Sequence, residues 1–140
     1  MKEKDKELLI KDLSSRLVYR VKFKTPTGID TLTGMDSFGK CDCTINPTND
    51  NSYDIEDIKP YLFPLSSMTE EQKSYLHFST KFDIDRFETI TPKIDEDDSP
   101  MYVDMEDWLA LFEWFHKNHI DYRDLIPMGL AEDATNKNIY

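Results

Sequence analysis

At 140 residues, with 39% hydrophobic and 12% aromatic side chains, the chain can bury one core without disulfides or a structural metal, which favours a single domain over 1–140. Its 17 Lys and Arg against 28 Asp and Glu leave a net charge of -11, which opposes attraction to phosphate backbones and anionic membrane surfaces. Nucleic acid and membrane are therefore not expected partners. Residues 1–11 alternate charges without the apolar run of a signal peptide, and no later run approaches a membrane span, so a cytoplasmic protein is expected.

Along the chain, Leu9, Leu13 and Leu17 recur at i, i+4 and i+8 with Ile10 beside them, which predicts an amphipathic helix over 7–17. From Val18 the period changes to two. Tyr19, Val21 and Phe23 alternate with Arg20, Lys22 and Lys24, the pattern of a half-buried strand. Thr25-Pro26-Thr27-Gly28 turns the chain into a partner strand over 29–35. Phe38-Gly39-Lys40 allows a second reversal into a strand over 41–45, with Cys41, Cys43 and Ile45 inward. A bridge between vicinal cysteines two apart is strained, so both read as reduced thiols packed in the core. A loop follows over 46–52, then a short fourth strand over 53–58. The apolar Lys59-Pro60-Tyr61-Leu62-Phe63-Pro64-Leu65 carries two prolines that lack a ladder donor, and is expected to be irregular or a single turn.

Thr69-Glu70-Glu71-Gln72 has the form of a capping box and predicts a helix to about Phe78. Residues 79–100 scatter Phe82, Ile84, Phe87 and Ile90 among acids without one period, compatible with a strand or a short helix. The Asp95-Glu96-Asp97-Asp98 run lacks the glycine and terminal glutamate of a calcium loop and reads as a solvated turn. Asp104 can cap a helix with Asp107 at its third position, with Val103 and Trp108 placed for a hydrophobic staple. Lys117, His116 or His119 suits the negative end, and Asn118 can terminate it. Trp108, Leu109, Phe112 and Phe115 make its apolar face, and Leu111 and Trp114 widen that face beyond one stripe. Such a helix is either sandwiched within the fold or meets another protein.

Chemistry is thinly marked. His116 and His119 stand one turn apart with Asp121 near, but a zinc site needs a further ligand and helix-end roles account for them. His77 has no sequence-adjacent partner. Nothing near Cys41 or Cys43 marks an activated thiolate, and nothing singles out Asp83, Asp85 or Glu88 as a desolvated acid. The four glycines form no phosphate loop. No catalytic residue, metal ligand or cofactor site is assigned. The residues that can form an interaction surface are the basic row Arg20, Lys22 and Lys24, unless Asp30, Asp36 or Asp42 pairs across strands with it, together with Phe63 and Trp114.

Two stretches resemble a known family. Ile58-Lys59-Pro60-Tyr61-Leu62-Phe63-Pro64-Leu65-Ser66-Ser67-Met68-Thr69-Glu70-Glu71-Gln72 and His119-Ile120-Asp121-Tyr122-Arg123-Asp124-Leu125-Ile126-Pro127-Met128-Gly129-Leu130-Ala131 are similar to small proteins of Bacteroides and related gut bacteria, whose genes often lie in prophages or other mobile elements. The segment 8–17 and the end 133–140 look similar too, with Asn136 where family members often carry glycine. The match covers about half the chain. It implies provenance and a shared fold and supplies no catalytic residue. Tyr122, Leu125 and Ile126 should fold back onto the core, with Pro127 and Gly129 ending that turn.

The fold expected is α+β: an N-terminal helix, a three- to four-stranded antiparallel sheet that can curl like a small barrel, and two to three further helices packed on it. The function expected is a noncatalytic protein-interaction or accessory module of a phage-like or mobile element, with a protein partner or self-association. Alternatives are an acidic inhibitor that mimics nucleic acid, and a small metal-dependent hydrolase.

Overall fold

The computed structural model describes residues 1–37, 43–47, 52–85 and 88–140. Its first helix, α1 (Glu3–Arg16), has Glu3 and Asp5 in the first turn and Arg16 in the last, which suits the helix dipole. Leu9, Asp12, Leu13 and Arg16 are all 0% exposed, an i, i+3, i+4, i+7 stripe that includes two charges. The expected stripe is thus rotated: Ile10 is half-buried, and Leu17 belongs to a one-turn 3-10 helix, Leu17–Tyr19.

The strand expected from Val18 starts only at Lys22, because the 3-10 turn and a left-handed Arg20 (φ 53°) intervene. Strand β1 (Lys22–Thr25) buries Val21, just before it, and Phe23, and pairs antiparallel with β2 (Gly28–Ser37) from Lys22↔Thr31 to Thr25↔Gly28. The Thr25 hydroxyl donates to the Gly28 carbonyl and accepts from the Thr27 amide, closing the turn that the Pro-Thr-Gly sequence predicts. β3 (Cys43–Pro47) and the two-residue β4 (Tyr53–Asp54) continue the antiparallel order, with Ile45 buried. A one-turn 3-10 helix, Ile55–Asp57, takes the rest of the expected fourth strand. The reversal at Phe38-Gly39-Lys40, Cys41, Asp42, most of the 46–52 loop, Phe87 and the side chain of Cys43 lie outside the described residues.

The Pro-punctuated segment is a strand, β5 (Lys59–Pro64), where an irregular turn was expected. Its prolines stand second and last, so they remove donors only near the ends. Within it the Phe63 amide donates to the His119 carbonyl (2.8 Å) and the Leu62 carbonyl accepts from Ala134 N–H (2.8 Å). β5 pairs antiparallel with β1, and parallel with two short late strands, β8 (Ile120–Asp121) and β9 (Glu132–Asp133). The sheet is therefore mixed, runs in the order β4-β3-β2-β1-β5-β8 with β9 also on β5, and does not close among the described residues. Both the wholly antiparallel and the barrel-like expectations are corrected here, because β8 and β9 return after a helix and a turn and enter beside β5 in the same direction.

Helix α2 (Glu70–Ser79) carries the expected capping box, with Thr69 and Gln72 bonded reciprocally at 2.9 and 3.1 Å. A hairpin of β6 (Phe82–Ile84) and β7 (Ile90–Pro92) follows, stripped of one clean period because only Phe82 in β6 is fully buried. In the acidic run, Asp95 accepts from the amides of Asp97 and Ser99, a locally bonded turn. α3 (Met105–Lys117) begins with an Asp104–Asp107 capping box, and Lys81 reaches Asp107 at 3.0 Å to tie the hairpin to the helix start.

Two apolar clusters result. One packs Leu9 and Leu13 of α1 on Val21, Phe23, Leu32, Ile45 and Leu62 of the sheet, capped by Leu125 and Leu130. The other gathers Leu76, Phe82, Leu111, Phe115 and Ile120 from α2, β6, α3 and β8. Burying each such side chain stabilises the fold by about 1.5–3 kcal/mol. No helix among the described residues is long and apolar enough to cross a membrane.

Candidate functional site

Between the two clusters lies a polar seam. Arg16, fully buried, donates through Nε and Nη2 to the Asp12 carboxylate (2.8 and 3.2 Å) and through Nη2 to the Ile120 carbonyl (2.7 Å). The i, i+4 spacing on α1 makes that pair inevitable once both side chains face inward, and the Ile120 contact pins α1 to β8. Arg123 approaches the same carboxylate at 3.3 Å. One carboxylate thus serves two guanidiniums. Asp121, 3% exposed, places a second buried carboxylate beside the seam, and its oxygens accept from the amides of Arg123, Leu125 and Ile126 and brace the turn that follows β8.

Tyr122 is the hub. Its ring stacks near Phe112 and Phe115 (centroids 5.2 and 5.1 Å), with Arg16 and Arg123 at 5.6 and 5.1 Å from its centroid. Its oxygen accepts from Arg123 Nε and Nη2 (3.2 and 2.9 Å) and lies 2.7 Å from His116 Nε2. Since guanidinium can only donate, the tyrosine's own proton goes to His116, whose Nε2 is then the bare nitrogen. Burial first, then the charges of Arg16 and Arg123, push the His116 pKa down to about 4, against a weaker opposing pull from Glu113, which agrees with a neutral ring.

This seam opens on a groove of about 950 Å³ between α1 and α3. Lys11 and Ser15 form one wall; Leu109, Ala110, Phe112 and Glu113 form another; His116, Tyr122 and Arg123 close the polar end, and Glu106 also lines it. On the opposite flank of α3 a second groove, about 390 Å³, is bordered by Tyr75, Phe78, Leu111 and Trp114, and Ala110 lines both. Trp114 stacks on Tyr75 at 5.2 Å and 18°. Leu109, expected on the inner face with Phe115, is instead 59% exposed.

The residues expected to interact are dispersed. Lys22 and Lys24 sit on β1 opposite Thr31 and Ile29, Lys24 also meeting Glu132 at 3.5 Å, while Arg20 lies off the strand in its left-handed turn. Phe63 is half-buried against Tyr140 (5.9 Å), whose ring stacks on His119 at 3.7 Å and whose hydroxyl accepts from the Lys22 amide (2.9 Å) and donates to the Tyr61 carbonyl (2.7 Å). That hydroxyl occupies the rung where the β1–β5 register would put Lys22 opposite Tyr61. His116, His119 and Asp121 are turned to separate partners, and His77 bonds Asp83 at 3.0 Å. Among the described residues no three His, Cys, Asp or Glu side chains are grouped to hold a metal ion. Sequence reading missed the seam; its signal was the pair of opposite charges at 12 and 16 falling into the Leu9–Leu13 stripe. No protein-family model matches this chain, and no curated protein or solved structure is significantly similar to it.

Proposed function

We propose that this chain is a noncatalytic protein-interaction or accessory module that docks a partner on the outer face of α3 and the adjoining α2–α3 groove. The observation that carries this reading is the exposure of large apolar side chains around one helix: Tyr102 and Phe78 at 81%, Met105 at 76% and Leu109 at 59%. Singly exposed apolar residues are ordinary, but Phe78 borders the α2–α3 groove beside the Tyr75–Trp114 stack, and Leu109 lines the groove on the other flank of the same helix. Charge selects the occupant. A chain of net charge -11 repels its own copies and favours a basic amphipathic segment, whose apolar face meets the patch while its cations meet Glu106 and Glu113. The resemblance at 58–72 and 119–131 supports a phage-like or mobile-element setting.

A photo-crosslinking side chain at position 109 or 78 tests this inside cells that carry the gene, with position 18, also exposed, as control. The expected result is one basic partner captured at 109 and 78 but not at 18, whose purified complex is weakened about tenfold or more by Trp114→Ala in a variant of unchanged circular dichroism. Equal capture at all three positions, or a complex indifferent to Trp114→Ala and Leu109→Glu, would overturn the reading.

A further inference from the structure

We propose that the cavity between α3 and the β6–β7 hairpin is a binding site for a small quaternary ammonium ion, whose methylated head lies against the rings of Trp108 and Phe112 while the carboxylates of Glu88 and Asp124 attract its charge from the rim.

The cavity has a volume of about 320 Å³, at the small end of the range for ligand pockets, about 300–1,000 Å³. It opens on a third flank of α3, sharing only Leu111 with the α2–α3 groove and Phe112 and Tyr122 with the α1–α3 groove. None of Phe78, Glu106, Leu109, Glu113 or Trp114 lines it, so it is separate from the docking face. Trp108, Leu111, Phe112 and Phe115 reach it as an i, i+3, i+4, i+7 stripe. Leu111 and Phe115, 3% and 1% exposed, are the floor, and the half-buried Trp108, Phe112 and Tyr122 are the wall. Trp108 and Phe112 have centroids 6.0 Å apart, and Phe112 stacks on Tyr122 at 5.2 Å and 20°, a continuous run of three rings. The faces of such rings carry partial negative charge, which favours a cation over an anion.

Formal charge at the cavity has the same sign. Glu88, beside the hairpin turn, and Asp124, in the turn after β8, are exposed, and neither carboxylate makes an ion pair or a hydrogen bond among the described residues. No Lys, Arg or His among the described residues lines the cavity. The guanidiniums near Tyr122, Arg16 and Arg123, are matched by the two buried carboxylates Asp12 and Asp121, and His116 is neutral, so the seam sets no net charge against the ligand. The net charge of -11 acts in the same direction over longer range.

The wall selects the kind of cation. The Trp108 indole can only donate, and the Tyr122 hydroxyl is already engaged with Arg123 and His116, so the rings offer no free side-chain acceptor. A primary ammonium or guanidinium pressed against them gives up hydrogen bonds to water, whereas a quaternary head has no N–H to leave unpaired.

Choline and 3,3-dimethyl-1-butanol, which has the same shape with carbon in place of the charged nitrogen, are titrated into isotopically labelled protein by NMR at low salt, with ethanolamine as the primary ammonium. Choline should saturate, shift the Trp108 indole N–H with Ile90 and Phe112, and bind about tenfold or more tighter than either other compound. Glu88→Gln and Asp124→Asn, at exposed positions, should each reduce the preference over the alcohol to about threefold, and the double variant should abolish it. Asp124 has φ 60°, which asparagine tolerates, so that change leaves the turn in place. Equal binding of choline and the alcohol, a preference unchanged in the double variant, shifts centred on Tyr75 and Trp114, or no saturation with choline would overturn the proposal.

Discussion

Replacing Asp12 by leucine removes the carboxylate that Arg16 and Arg123 both touch while leaving the guanidiniums in place. Arg16 is 0% exposed and cannot turn to water, so its charge is stranded; breaking a buried pair in this way costs about 3–5 kcal/mol. Arg123, with 19% of its side chain exposed, can relax outward and adds little. With an unfolding entropy near 2.1 cal/mol/K per residue, 140 residues translate that loss into a fall in Tm of roughly 10–17 °C. The double variant Asp12→Leu/Arg16→Met removes both charges together. Its remaining defect is the Ile120 carbonyl without its donor, worth about 1–2 kcal/mol, so the double variant should be the more stable of the two. Urea unfolding followed by tryptophan fluorescence, with calorimetry, measures both. If the double variant is no more stable than Asp12→Leu, or if Asp12→Leu costs less than about 1 kcal/mol, the pair is not the buried, uncompensable contact described above.

Tyr140→Phe should cost about 1–2 kcal/mol and speed hydrogen exchange at the Lys22 amide, which loses its acceptor; unchanged protection at Lys22 would contradict the bridging role. Burial raises the Tyr140 phenol well above its usual pKa, so the donor to Tyr61 persists through the alkaline range in which free tyrosine ionises. Acidification should destabilise the fold between pH 6.5 and 4. Burial, reinforced by Arg16 and for His116 by Arg123, holds both His116 and His119 at about 4, so over that window the unfolded chain binds more protons; stability is full above about pH 6.5 and declines below it, by up to about 3 kcal/mol for His116, which is 8% exposed. Urea midpoints measured from pH 7.5 to 4 should fall, less steeply in His116→Gln, and a flat profile would sink the assignment. Asp104→Ala should remove about 1 kcal/mol by opening the α3 capping box, read from the same urea midpoints at neutral pH, and Asp107→Ala should additionally release Lys81.

Local chemistry was legible where a few adjacent residues determine the outcome. Both capping boxes, the Thr25–Gly28 turn and the inward placement of Val21, Phe23 and Ile45 follow from side chains that bond or pack within a turn or a strand. The misreadings have one cause. Pro60 and Pro64 argue against a strand only if their neighbours need the missing donors, and which neighbours arrive depends on residues 57 to 71 positions away. Likewise Leu109 has the period of an inner residue, yet it is exposed, because α3 packs on the second cluster through Leu111 and Phe115.

The sequence alone determined that the chain is acidic, that it carries an N-terminal helix followed by a hairpin, and that two later helices begin at capped positions, since each of these depends on contacts within a few residues. Only the tertiary structure decided that Asp12 and Arg16 would be buried between two cores and joined by Tyr122, His116 and Arg123. Those five side chains come from α1, α3 and the turn after β8, separated by about a hundred residues, and nothing but the packing of the sheet against the helices brings them within hydrogen-bonding reach.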